Sequence, residues 1–81
     1  MTAREHLEWA IDRALEYYDM GDKDGAMTSF ISDVGKHDGT AHIQTNSATM
    51  MILMMNLNRG RSEFEKAMRG FAVIDSPAPE A

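Results

Sequence analysis

Four thioethers fall within six positions in the stretch "ATMMILMMNLNRG", residues 48–60, of a chain that contains no cysteine. Soft sulfur ligands suit copper(I). The spacing of Met50, Met51, Met54 and Met55 spreads the sulfurs over an arc of a helix, so they do not converge on one point. No metal is expected there. In "HDGTAH" the residues His37, Asp38 and His42 lack the ligand spacing of a zinc helix and have no third strong ligand nearby in sequence. Asp22, Asp24 and Gly25 fit the third, fifth and sixth places of a calcium loop, but Met20 and Ile31 stand where its first carboxylate and its bidentate glutamate belong. No metal and no cofactor is expected.

Arg59, Arg61, Lys66 and Arg69 form the main cation cluster, close to a predicted helix start where an anion would also meet free backbone N–H groups. A solvated surface is the plainer reading, with a small anionic ligand such as a signalling nucleotide as the alternative. The chain has no thiolate nucleophile, no serine on a strand-to-helix elbow and no glycine-rich phosphate loop. Eighty-one residues also leave little room for a pocket closed to water, so no enzyme is expected.

These residues must be positioned by helices. Thr2 and Glu5 make a capping box, and Leu7, Ile11, Ala14, Leu15 and Tyr18 form one stripe of a helix over 3–20. Trp9, Arg13 and Met20 lie half a turn from that stripe, where a solvated helix is usually polar. With Met51 and Met55 they are the predicted partner interface. "GDKDG" breaks the chain, with Gly21 as a left-handed cap and Asp24 as the next N-cap. Ala26, Met27, Phe30, Ile31 and Val34 then give a second helix, antiparallel to the first. The offsets of Ala14, Tyr17, Gly21, Ala26 and Phe30 match part of a tetratricopeptide unit, but Arg13 and Asp33 break the pattern and no second copy follows. A third helix begins between Thr40 and Ser47 and ends near Gly60. Ser62 with Glu65 makes a second capping box, opening a fourth helix whose stripe is Phe64, Ala67, Met68 and Phe71. The expected fold is all-α, one domain of about four helices over 1–75, with "SPAPEA" at 76–81 as a flexible tail.

The methionine-rich third helix is apolar all round, so it reads as the central core helix. The alternative is half core and half interface. Three short amphipathic helices have little surface with which to cover it, and a homo-oligomer is therefore expected. The acidic balance argues against nucleic acid: the net charge is −5, and residues 1–38 hold nine acids against four Lys and Arg. The longest apolar run, residues 50–55, is too short to span a bilayer, and the charged N-terminus has no apolar signal region. With no cysteine to mark an oxidising compartment, the cytoplasm is the expected location.

"REHLEWAIDRALEYYDMGD" (4–22), "SDVGKH" (32–37), the methionine-rich helix and "RGFA" (69–72) together resemble a family of small uncharacterised all-helical accessory proteins of tailed bacteriophages. The similarity spans residues 4–72. Ala10 stands where that family often has cysteine, Asp38, Gly39 and Thr40 stand where it has Pro-Glu-Thr, and Ala72 stands where it has asparagine. The family has no assigned activity, so the resemblance carries over no site residues. It implies a setting: the cytoplasm of an infected bacterium, where such a protein would dock on a host protein.

Overall fold

Thr2 opens the first helix by accepting the Glu5 N–H at 3.1 Å while its own N–H donates to Glu5 Oε1 at 2.8 Å. The computed structural model describes residues 1–74; the predicted tail at 76–81 lies outside them. All regular structure among the described residues is helical: α1 (Ala3–Asp19), α2 (Lys23–Val34), α3 (Ala41–Thr45), α4 (Ser47–Leu57) and α5 (Arg61–Arg69). None of these helices is long and apolar enough to cross a membrane.

The α1–α2 turn depends on Gly21, whose φ of 85° is left-handed backbone that a side chain would strain. The N-cap of α2 is Asp22, not Asp24: its carboxylate accepts the Gly25 N–H at 2.8 Å, which leaves Asp24 in the first helical turn. The two helices run antiparallel, since His6 and Arg13 of α1 both meet Asp33 near the far end of α2. α5 runs back along α1, with Arg61 on Asp19 at one end and Arg69 on Glu8 at the other.

The expected third helix is two helices, making five where four were predicted. Asn46 adopts extended backbone, closes α3, and caps α4 by accepting the Ala48 N–H at 2.9 Å. An asparagine side chain offers the backbone an alternative to continuing the helix, and this position takes it. Two buried threonines fix the corners on either side. Thr40 Oγ1–H donates to the Val34 carbonyl and Thr49 Oγ1–H to the Ile43 carbonyl, each at 2.6 Å. The predicted capping box at Ser62 and Glu65 does not form. Gly60, with φ 121°, is the N-cap of α5 without a side-chain bond, and Glu65 is engaged by Arg61 and Arg69.

Leu7, Ile11, Ala14, Phe30, Val34, Leu53, Phe64 and Met68 are fully buried in one cluster. Two aromatic pairs lock it: Tyr18 stacks on Phe64 with ring centres 5.4 Å apart, and Phe30 on Phe71 at 6.0 Å. α4 contributes only Thr49, Leu53 and Leu57 to the interior. The expectation of a central methionine core is therefore overturned. α4 lies at the margin, packed on α3 and α5, and turns its thioethers outward.

Candidate functional site

A helix that buries only positions 49, 53 and 57 presents everything else to solvent. Met50, Met51, Met54 and Met55 are 47%, 64%, 58% and 58% exposed, and Ile52 is 37% exposed. With Ser47, the four methionines line an open furrow of about 530 Å³. Contiguous apolar surface of this kind, on a small chain, makes the α4 face the candidate site. Methionine is suited to it because its unbranched, polarisable side chain adapts to what it meets.

The predicted interface does not form one surface. Met51 and Met55 belong to the α4 face. Trp9 and Arg13 lie on the seam between α1 and α2, and Met20 is 71% exposed at the end of α1. Met50 and Met54 complete the face and were absent from the predicted interface. The helical spacing i, i+4 that pairs Met50 with Met54 and Met51 with Met55 is the signal that joins them.

Trp9 finds its neighbours within the chain. Its ring lies 5.0 Å from the Arg13 guanidinium carbon, 5.9 Å from Lys36 Nζ and 5.2 Å from the His6 ring. The same two cations bind a buried carboxylate that the apolar stripes did not reveal. Asp33 is 1% exposed and takes Arg13 Nε–H at 2.7 Å, Lys36 Nζ–H at 3.1 Å and Ser29 Oγ–H at 3.3 Å. Burial pushes its pKa up, but the hydrogen bonds and charges of Arg13 and Lys36 outweigh that effect and hold it below the usual carboxylate value. The bond to Asp33 raises the Arg13 pKa in turn. A shallow cleft of about 250 Å³ opens beside this group, lined by Tyr17, Thr28 and Ser32 among others. With both carboxylate oxygens of Asp33 occupied, the arrangement fastens α1 to α2.

The three histidines are fasteners of another kind. His6 Nε2–H donates to the Asp33 carbonyl at 2.6 Å, His37 Nε2–H to the Met1 carbonyl at 2.9 Å and His42 Nε2–H to the Ala72 carbonyl at 2.8 Å. A carbonyl only accepts, so each ring carries its proton on Nε2. His37 Nδ1 accepts the Gly39 N–H at 2.9 Å, which requires a neutral ring. His37 thus ties the Met1 backbone to the α2–α3 turn, and His42 ties the segment after α5 to α3. Among the described residues no three histidine or acidic side chains converge in a way that could hold a metal.

The cation cluster is largely matched by acids. Arg61 pairs with Asp19 at 2.8 Å, Lys66 with Glu63 at 3.6 Å, and Arg69 with Glu8 at 2.6 Å and Glu65 at 2.9 Å. Hydrogen bonds to these carboxylates raise the Arg61 and Arg69 pKa values. An arriving anion would have to displace them. Arg59 lies in the turn before α5, outside these pairs, and is exposed. Comparison of the chain with protein-family models, with curated proteins and with solved structures gives no match.

Proposed function

We propose that this chain is a non-enzymatic interaction protein whose working surface is the methionine face of α4. In line with the resemblance of residues 4–72, it acts as a phage accessory protein in the cytoplasm of an infected bacterium. The observation that carries the reading is that α4, the most apolar helix of the chain, buries three positions and exposes five large apolar ones. A helix of that composition gains little from its own fold by being so apolar, and gains on contact with a partner. The anion alternative draws less support, because Arg61, Lys66 and Arg69 already hold carboxylates. The nucleic-acid alternative has no basic face to rest on in a chain of net charge −5.

The double substitution Met51→Glu with Met55→Glu tests it. Both positions are exposed and glutamate is a good helix former, so the melting temperature should move by no more than about 5 °C. Tagged wild-type protein should recover binding species from bacterial lysate, whether other copies or host proteins, and the double variant should lose them. Equal recovery by the two would refute the surface.

A further inference from the structure

We infer that the occupant of the α4 face is a second copy of this chain, laid antiparallel along α4 about a two-fold axis through the middle of the ridge. This rests on the reading of that face as a docking surface, and shape, charge and area argue for it. Met50 with Met54 and Met51 with Met55 form two rows at four-residue spacing, and the furrow of about 530 Å³ between them runs on to Ser47. Rows at that spacing are the ridges that interdigitate when helices pack. A ridge lying beside its own furrow is complementary to itself under a two-fold operation.

Charge selects the same face. The chain holds thirteen acids and has a net charge of −5, yet residues 39–62 contain no acid at all. Two copies approaching through residues 1–38, with nine acids against four Lys and Arg, bring like charge together; along α4 they do not. A charged partner would find no counter-charge in the furrow, whereas a second copy needs none.

The area is sufficient for a weak dimer. The four methionines expose roughly 450 Å², well within the size of patch that is often functional on a monomer. Two copies would bury up to about 900 Å² from these residues. Flanking atoms of Ser47 and Asn58 bring the total to about 1,100 Å², in the range of weak, transient pairs. Orientation follows from Arg59, just past the C-terminal end of α4. A parallel pair sets it against its own copy and aligns the helix dipoles. The antiparallel pair opposes the dipoles and places each Arg59 beside the partner's uncharged segment 44–47.

The test uses the purified full chain. Sedimentation from about 1 to about 300 µM should show the mass rising from 9.1 kDa toward twice that value. Met51→Glu should weaken the association at least about tenfold with an unchanged circular dichroism spectrum. The chain has no cysteine, so Ser47→Cys and Asn58→Cys variants each introduce a single thiol. Ser47 and Asn58 are eleven residues apart, three helical turns, on one stripe. Mixed and oxidised, the two variants should form the 47–58 disulfide in preference to 47–47 or 58–58. A mass fixed at 9.1 kDa, a dimer indifferent to Met51→Glu, or dominance of the like-with-like disulfides would each overturn the proposal. A fixed monomer whose lysate partners still vanish in the Met51→Glu, Met55→Glu variant would overturn self-association alone and leave the docking surface standing.

Discussion

Phe64→Ala is expected to lower the thermal midpoint by roughly 15–30 °C, corresponding to about 3–5 kcal/mol in a domain of this size. Phe64 is fully buried and is the main aromatic contribution of α5 to the core. Its ring stacks on Tyr18 at 5.4 Å, and the Tyr18 O–H in turn donates to the Leu57 carbonyl at the end of α4. Truncation would remove the aromatic contact between α5 and α1 and the support behind the Tyr18 tether. It would also leave a cavity in the buried cluster that the surrounding side chains could only partly fill. Phe71→Ala is the comparison: Phe71 is half-buried against Phe30, so its loss should cost about a third as much. Thermal melts followed by circular dichroism would check both. A shift under about 5 °C for Phe64→Ala would show that α5 contributes little to the core.

Asp33→Asn is expected to destabilise the chain by about 2–3 kcal/mol at neutral pH, and by much less in acid. The carboxylate accepts from two cations and a hydroxyl. An amide in its place would accept with one atom and direct N–H groups at Arg13 or Lys36 with the other, losing a charge-assisted bond and placing donor against donor. The pH dependence has a definite sign. The folded-state pKa of Asp33 lies below its unfolded value, near 3.9 for a free aspartate. Its stabilising contribution is therefore complete above about pH 4 and is lost as pH falls through the folded value. The gap in unfolding free energy between wild type and Asp33→Asn should narrow below about pH 4, as urea denaturation at pH 7 and near pH 2.5 would show. A gap independent of pH would mean that the carboxylate's charge is not what holds α1 to α2.

The apolar stripes of α1, α2 and α5 were legible because burial repeats with helical period. Leu7, Ile11, Ala14, Phe30, Val34, Phe64 and Met68 are all in the core. The split between α3 and α4 was not, since Asn46 is compatible with either a continuing helix or a cap, and the bond from Thr49 to the Ile43 carbonyl across the corner is not written in any periodic pattern. Asp33 was visible only as a break in the tetratricopeptide pattern. Ser29 and Lys36 are near in sequence, but its partners across the helices lie 20 residues away in Arg13 and 27 away in His6, a distance that periodicity does not reach. The outward turn of the methionines had a different obstacle. A helix that is apolar all round carries no phase, so its sequence cannot say which side faces in. Here Thr49, a polar residue, is buried while four thioethers are not.

The fasteners of α4 are the Asn46 cap, the Thr49 hydroxyl, the Tyr18 tether at Leu57, and the buried Leu53 and Leu57. Every one of them sits at its ends or on its inner side. The outer side is mechanically idle in the folded monomer, so residues 50, 51, 54 and 55 can be exchanged for other helix formers with little effect on folding. Under the proposed reading, stability and recognition are written on opposite faces of one helix. A lineage carrying this chain could then change what it binds by drift at four positions, without first having to restabilise the fold.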